Sequence, residues 1–181
     1  FLLEIGCTEI ALVYGASLGV AVGWRLFFDP AFHIARAWFD GVALARNARF
    51  AEWFMKRMFR SRKKKLAKTH AEASPSLVKM YGYDFARMMT RNFERITISD
   101  IDAICHACCH YDLRRLTDEE QKKLPLDFGE KDFDWMYSRK TIPMYMPNAE
   151  LVIRPGYQHC GYMAAEPEAY VAQIEAFMGR V

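Results

Sequence analysis

The sequence predicts an α/β protein whose parallel sheet is interrupted by a block of helices. Near its start, an apolar run at Ile10–Tyr14 precedes a glycine-containing turn, a helix-compatible stretch that stops at Asp29-Pro30, and a second apolar run at 37–44. Strand, turn, helix and strand in that order are typical of a parallel sheet. Apolar residues then recur at helical spacing as far as about Leu116, without strand patterns. Strand-like runs return after this block, which is therefore predicted to be an insertion.

The last third of the chain carries the remaining predicted elements. Leu124–Gly129 has the spacing of a strand, and Ala149–Arg154 is a short strand that Pro155-Gly156 ends. An amphipathic helix is predicted from Pro167 to Met178. Its apolar face comprises Tyr170, Ile174 and Phe177.

These elements divide the chain into three parts. Residues 1–45 and 121–181 are assigned to the α/β core, and residues 46–120 to a helical lid. Within the lid, Ser99 is the predicted N-cap of a helix, with Asp102 three residues later in place of the usual Glu.

Composition excludes several classes of protein. The 181 residues are 52% hydrophobic and 14% aromatic, which excludes a disordered chain, and the net charge of +3 gives no support to nucleic-acid binding. One basic run interrupts this balance, and it consists of Arg57, Arg60, Arg62, Lys63, Lys64, Lys65 and Lys68. Such runs are usually solvated helix faces. Contact with nucleic acid or an anionic membrane, or steering of an acidic substrate, are the alternatives.

Cysteine usage favours a reducing, cytoplasmic location. Five cysteines cannot all pair within one chain, and Cys105, Cys108 and Cys109 crowd into five residues. The opening residues also lack a signal-peptide pattern, because Glu4 and Glu9 interrupt them.

A membrane span is the competing interpretation of the first thirty residues. Gly15, Gly19 and Gly23 have the four-residue spacing that packs transmembrane helices. However, the uncharged run that begins at Ile10 ends at Arg25, which is short of the roughly 20 residues that a span needs. We therefore expect no membrane span.

The segment Cys105-His-Ala-Cys-Cys-His110 has the residue types of a metal site. Cys105 and Cys109, like His106 and His110, are separated by four residues and share a helix face. Zinc sites usually take a second ligand pair from elsewhere, and the sequence has no such pair. Small buried cysteines are the favoured interpretation, so no metal or other cofactor is expected, with a metal module as the alternative.

Gly15-Ala-Ser-Leu-Gly19 matches the G-x-S-x-G nucleophile elbow between a strand and a helix. The turn is tight, so the positions of Gly15 and Gly19 are expected to need the absence of a side chain. Ser17 is the candidate nucleophile. The backbone N–H of Leu18, at the start of the helix, is the candidate oxyanion donor.

A general base and an orienting acid follow two later predicted strands. Asp132 lies after one strand and His159 after the next, and the carboxyl ends of parallel strands converge at one edge of a sheet. The order Ser, Asp, His is the one in which α/β-hydrolases present their triad. Asp134 and Asp127 are the alternatives for the acid.

With these motifs the chain resembles the α/β-hydrolase superfamily. The similarity is carried by Tyr14–Gly19, by Gly129-Glu-Lys-Asp132, and by Pro147–His159 with the helix that follows. It implies that Ser17 is the nucleophile, Asp132 the acid and His159 the base of a triad. It also implies hydrolysis of a carboxylic ester or related small, partly hydrophobic acyl substrate, without a cofactor.

The resemblance is to the C-terminal part of that fold. Complete members have further strands before the elbow, and a loop after one of them supplies the second oxyanion N–H. We therefore expect an exposed elbow strand. The alternatives are a catalytically silent or partner-dependent half-domain, completed by another copy in a homo-oligomer or by a complementing chain.

Overall fold

A computed structural model describes residues 1–69 and 71–179 of the chain. The strands in this part are β1 Glu9–Ile10, β2 Val13–Ala16, β3 His33–Ile34, β4 Ala37–Asp40, β5 Leu126–Gly129 and β6 Leu151–Arg154. The helices are α1 Leu18–Phe27, α2 Ala48–Thr69, α3 Pro75–Tyr81, α4 Tyr83–Arg95, α5 Ile98–Cys109, α6 Asp118–Lys122, α7 Phe133–Ser138, α8 Ile142–Tyr145, α9 Gly161–Ala165 and α10 Pro167–Met178.

The main sheet is parallel and has the strand order β2-β4-β5-β6. Its register pairs Val13 with Ala37, Phe39 with Leu126, and Leu126 with Leu151. The two short strands β1 and β3 also pair in parallel. This is the α/β architecture that the sequence predicts, and it brings the loops after β2, β4, β5 and β6 to one edge.

Strand β4 is buried on both faces of the sheet. Phe39 packs into one apolar cluster with Trp24 of α1. Trp38 packs into a second cluster with Tyr170 and Phe177 of α10. Successive side chains of a strand point to opposite faces, so β4 is covered by α1 on one side and by α10 on the other.

Gly23 allows α1 to lie close to the sheet. A Cβ atom at this position would come 2.7 Å from Cε1 of Phe39 and 3.0 Å from Cγ1 of Val13. Gly23 therefore permits close packing of α1 against strands β2 and β4. Among the described residues, no helix combines the length and the apolar character that crossing a membrane would require.

The chain forms two compact units. The first contains Phe1–Arg46 and the chain from Tyr111 onward, and the second runs from Asn47 to His110.

Within the second unit, Glu52 and Lys56 of α2 form an ion pair with 2.5 Å between Oε1 and Nζ. The hydrogen bond from Lys56 is the main reason that the pKa of Glu52 falls to about 2.

Several predicted boundaries differ from the observed ones. The elbow strand occupies Val13–Ala16 rather than Ile10–Tyr14. The strand predicted over 37–44 ends at Asp40, because the backbone turns at Gly41 with φ of +70°. The closing helix spans Pro167–Met178, as predicted.

The predicted N-cap at Ser99 is wrong. Thr97 caps α5 instead: its hydroxyl accepts a hydrogen bond from the N–H of Asp100, whose carboxylate accepts one from the N–H of Thr97. Asp102, assigned to the capping box of Ser99, forms an ion pair with Arg60 of α2.

Two buried carboxylates lie on adjacent strands, Asp40 at the carboxyl end of β4 and Asp127 within β5. Asp40 is 3% exposed and accepts a hydrogen bond from the hydroxyl of Tyr170 at 3.0 Å. Burial, reinforced by the negative charge of Asp127, raises the pKa of Asp40 to about 7. Asp127 itself is paired with the guanidinium of Arg154.

We expect Asp40→Asn to stabilise the protein at pH 8 and to change little at pH 4. The raised pKa keeps Asp40 protonated in the folded state while the unfolded chain ionises, so its contribution to stability is present below about pH 3.8 and is lost as the pH rises through 7. A shift of this size sets an upper limit of roughly 4 kcal/mol. Thermal unfolding of both proteins from pH 4 to pH 8 measures the difference.

The matched control is Asp112→Asn, at an exposed aspartate of the same unit. A Tm difference between Asp40→Asn and the unchanged protein that stays constant across this pH range would contradict the prediction.

Candidate active site

Ser17 occupies the turn between β2 and α1 in a strained backbone conformation. Its φ is 52° and its ψ is −116°, and among the described residues Cys160 is the one other non-glycine residue with positive φ. Residues other than glycine rarely adopt such backbone angles unless the surrounding structure imposes them. Here the N–H of Ser17 donates to the carbonyl of Asp40 at 2.9 Å. The hydroxyl makes no capping hydrogen bond to α1, and the residue is exposed.

The two glycines of the elbow have different roles. A Cβ atom at Gly15 would lie 2.7 Å from the carbonyl oxygen of Gly19 and 2.9 Å from the nitrogen of Val20. The same atom at Gly19 would have nothing within 4 Å. The expectation that both positions exclude a side chain is therefore correct for Gly15 and wrong for Gly19.

Leu18 is the first residue of α1. The first N–H groups of a helix have no carbonyl partner within it, and the helix dipole makes them favourable to negative charge. The N–H of Leu18 thus lies directly beside Ser17, at the positive end of a ten-residue helix.

Asp132 and His159 are joined by a hydrogen bond. Nδ1 of His159 lies 3.0 Å from Oδ2 of Asp132, which is 1% exposed. Asp132 is also the N-cap of α7, and its Oδ1 accepts a hydrogen bond from the N–H of Asp134 at 2.8 Å. The cap fixes the orientation of the carboxylate, which in turn orients the imidazole.

Asp134 lies within reach of the same imidazole. Its Oδ2 is 3.3 Å from Nδ1 of His159. The third candidate acid, Asp127, is instead held by Arg154, whose Nε lies 2.9 Å and 3.1 Å from the two carboxylate oxygens. The structure therefore brings two of the three candidate acids to His159.

The segment Asp40-Gly41 lies between the serine turn and the histidine loop. Asp40 accepts the N–H of Ser17 through its carbonyl oxygen, which is also 4.0 Å from Sγ of Cys160. A Cβ atom at Gly41 would come 2.7 Å from Nδ1 of His159. Ser17 and His159 thus flank one backbone segment at the carboxyl edge of the sheet.

Sequence reasoning missed Asp40, Gly41 and Cys160 in this site. The Asp40-Gly41 pair inside an apolar run is the sequence signal for the first two. Glycine readily adopts a positive φ, so such a pair indicates that the strand ends there. No sequence pattern marks Cys160, which enters the site as the neighbour of His159.

The electrostatics of the site favour a protonated imidazole. Burial opposes the charge on His159, but Cys160 and the carboxylates of Asp132 and Asp134 outweigh it and raise its pKa well above 6.5. Burial also raises the pKa of Asp134 to about 7 and that of the Cys160 thiol to about 11.

Asp132, Asp134 and His159 place their ligand atoms within 4.8 Å of one another. Two carboxylates and an imidazole could hold a divalent cation. The two carboxylates could instead orient the imidazole of His159 as a general base, which is the role that the sequence predicts for this residue.

We expect Gly15→Ala to destabilise the protein and Gly19→Ala to leave its stability unchanged or to raise it slightly. A methyl group at Gly15 meets backbone atoms that cannot move without shifting α1, and such overpacking costs about 1–3 kcal/mol. At Gly19 the space is open, and alanine gains up to about 1 kcal/mol of helix propensity over glycine. Urea unfolding of the two variants measures both effects, and equal losses of stability would refute this assignment.

The titration of His159 provides a second test. Its Hε1 NMR signal should titrate with a pKa above 6.5, and Asp134→Asn should lower that pKa because one carboxylate is removed. Asp132→Asn should lower it as well. His33, which is exposed and lies in β3, provides a reference signal. An unchanged pKa in Asp134→Asn would show that this carboxylate does not act on the imidazole.

Comparison with known proteins identifies the fold. No family model and no curated protein sequence matches the chain. Among solved structures, an alpha/beta hydrolase from a Medee basin deep-sea metagenome library is similar with a TM-score of 0.65 and 17% identity, over 99% of this chain and 68% of that one. A bromoperoxidase from Bacillus anthracis matches with a TM-score of 0.65 and 15% identity, over 98% and 70%. An esterase from Rhodococcus sp. matches with a TM-score of 0.63 and 17% identity, over 99% and 68%. The chain has the α/β-hydrolase fold.

Proposed function

We propose that this protein is a serine hydrolase that cleaves a carboxylic ester or a related small acyl compound. Ser17 is the nucleophile, His159 the general base and Asp132 the acid that orients it. The observation that carries the proposal is the 3.0 Å hydrogen bond between Asp132 and His159 at the sheet edge that also holds the strained turn of Ser17.

Catalysis begins with attack of the Ser17 hydroxyl on the acyl carbonyl, while His159 takes the hydroxyl proton. The C–O bond to the alcohol then breaks, and the imidazolium returns the proton to the departing alkoxide. Water, activated by the same imidazole, hydrolyses the acyl-enzyme and releases the acid. The negative charge of Asp132 stabilises the imidazolium in both steps.

The oxyanion of each tetrahedral intermediate is stabilised by the N–H of Leu18. This group is fixed before the reaction starts, because it belongs to the first turn of α1. The dipole of α1 adds to the stabilisation, since its positive end faces the developing charge.

The substrate is a small acyl compound with an apolar part. The helical unit Asn47–His110 is proposed to be the lid of the hydrolase, and exposed apolar side chains on it, among them Phe50, Trp53 and Met58, support an apolar acyl or alcohol group. One structural neighbour is an esterase, which supports the ester class.

A reducing, cytoplasmic compartment is the proposed location. Supporting it, five cysteines cannot all pair within one chain, and four of them, Cys105, Cys108, Cys109 and Cys160, are buried.

The open edge of the sheet supports a second candidate, a half-domain that needs a partner strand. β2 has β4 on one side and, among the described residues, no strand on the other, and Tyr14 of this strand is 42% exposed. An exposed edge strand is a template for pairing with another strand. In this alternative a second copy of the chain covers β2, and the site works in the oligomer alone.

A fluorophosphonate probe tests for an activated serine. We expect covalent label on Ser17, mapped by peptide mass spectrometry, and we expect Ser17→Ala and His159→Gln to abolish it. The rate of labelling should increase as the pH rises through the raised pKa of His159, because the protonated imidazole cannot accept a proton. Exposed Ser61→Ala is the matched control and should label at the unchanged rate.

Absence of label on the folded chain at every protein concentration, or label on a different residue, would refute the proposed nucleophile. Labelling that fades on dilution in step with dissociation of an oligomer, measured by light scattering, would instead support the partner-dependent half-domain.

A further inference from the structure

Two histidines and a glutamate converge on the helical unit, away from the candidate active site. His106 lies in the last turn of α5 and His110 is its C-cap, so the two share one face of the helix. Glu52 lies in the first part of α2. The sequence offered the histidines but no further ligand, because a contact between two helices distant along the chain leaves no local pattern.

The carboxylate of Glu52 bridges the two imidazoles. Nδ1 of His106 is 3.3 Å from Oε1, and Nε2 of His110 is 2.7 Å from Oε2. The imidazole rings are stacked, with 4.3 Å between their centroids and an angle of 22° between their planes. Both rings therefore present one nitrogen to the same carboxylate.

This spacing is close to the one that a bound metal ion imposes on its ligands. Nitrogen and oxygen ligands lie about 2.0–2.2 Å from Zn²⁺, so that neighbouring ligands of a tetrahedral site are about 3.3 Å apart. The ligand atoms of Glu52, His106 and His110 all lie within 4.8 Å of one another.

We propose that Glu52, His106 and His110 bind one divalent transition-metal ion of the Zn²⁺ class. Two imidazoles and one carboxylate suit Zn²⁺, Co²⁺ or Ni²⁺ better than Mg²⁺ or Ca²⁺, which take oxygen ligands. The ion would link α2 to α5 within the helical unit. This site is independent of the proposed hydrolase chemistry.

The burial of the three side chains permits an ion to enter and leaves room for water. Glu52 is 15% exposed, His110 is 32% exposed and His106 is 60% exposed. The carboxylate is thus held at the base of the site, while the imidazoles line its open side. Water would complete the coordination, as in zinc sites with three protein ligands.

Lys56 competes with the ion for Glu52. Its ammonium lies 2.5 Å from Oε1, the oxygen that faces His106. A metal ion that binds both imidazoles must displace this ammonium or share the carboxylate with it. Affinity for the metal is therefore expected to depend on the charge of Lys56, which would not be so for an ion bound at an unrelated histidine.

Titration of the reduced 181-residue protein with Co²⁺, followed by visible absorption, tests the site. We expect one equivalent to bind with the spectrum of nitrogen and oxygen ligands and without a thiolate charge-transfer band, because cysteine sulfur is absent from the site. Zn²⁺ should displace it. Glu52→Gln and His106→Gln should each weaken binding by at least the roughly 10–100-fold that is lost when a hydrogen-bond partner of a metal ligand is removed.

Three further variants sharpen the test. Lys56→Met should strengthen binding by roughly twofold to fivefold, the range expected when one ion pair near the surface is removed. His33→Gln, at an exposed histidine of the other unit, and His159→Gln should leave the affinity unchanged. Far-ultraviolet circular dichroism confirms that each variant retains its helices.

Several results would overturn the proposal. They are the absence of stoichiometric binding, binding that survives Glu52→Gln and His106→Gln, binding that is lost in His159→Gln, and weaker binding in Lys56→Met. A strong thiolate band would likewise assign the ion to the cysteines of α5 instead.

Discussion

The turn between β2 and α1 depends on one close backbone approach. At Gly15 the strand passes so near the carbonyl of Gly19 that a side chain has no room, and Ser17, between these two glycines, has a positive φ. The conformation is unfavourable in isolation and persists because neighbouring groups hold it, among them the carbonyl of Asp40. The exposure of the serine and the position of the Leu18 N–H both follow from this turn.

Near that turn, several carboxylates lie close together, and each interacts with a polar or basic side chain. Four aspartates lie in β4 and β5 or in the segment after β5, namely Asp40, Asp127, Asp132 and Asp134. One is neutralised by the guanidinium of Arg154, one accepts the hydroxyl of Tyr170, and two face the imidazole of His159. Burial raises the pKa values of Asp40 and Asp134 to about 7, so at neutral pH the four aspartates do not all carry a full negative charge.

Much of this architecture could be predicted because it is local in sequence. The elbow pattern, the strands that precede Asp132 and His159, and the closing helix Pro167–Met178 each follow from a short run of residues. In Thr97-Ile-Ser-Asp100-Ile-Asp102, two overlapping capping boxes are available, and the sequence alone does not choose between them. Arg60 of α2 takes Asp102 as its partner, which leaves Thr97 and Asp100 to cap the helix.

The parts that escaped prediction depend on contacts between distant residues. The approach of Gly41 to His159 requires the loop after β4 to meet the loop after β6. The convergence of Glu52 on the two histidines requires α2 to pack along α5. In each case the residues around one partner in the sequence give no indication of the other partner.

The pairing of β4 with β5 has a consequence for biosynthesis. Phe39 finds its partner Leu126 after the whole of the helical unit has been made. As the polypeptide leaves the ribosome, the helices of that unit, which form one continuous segment of the chain, can pack together first, while β4 still lacks its neighbour β5. Newly made chains therefore pass through an interval in which an apolar segment is uncovered, when chaperones would bind most readily and when aggregation competes most strongly with folding.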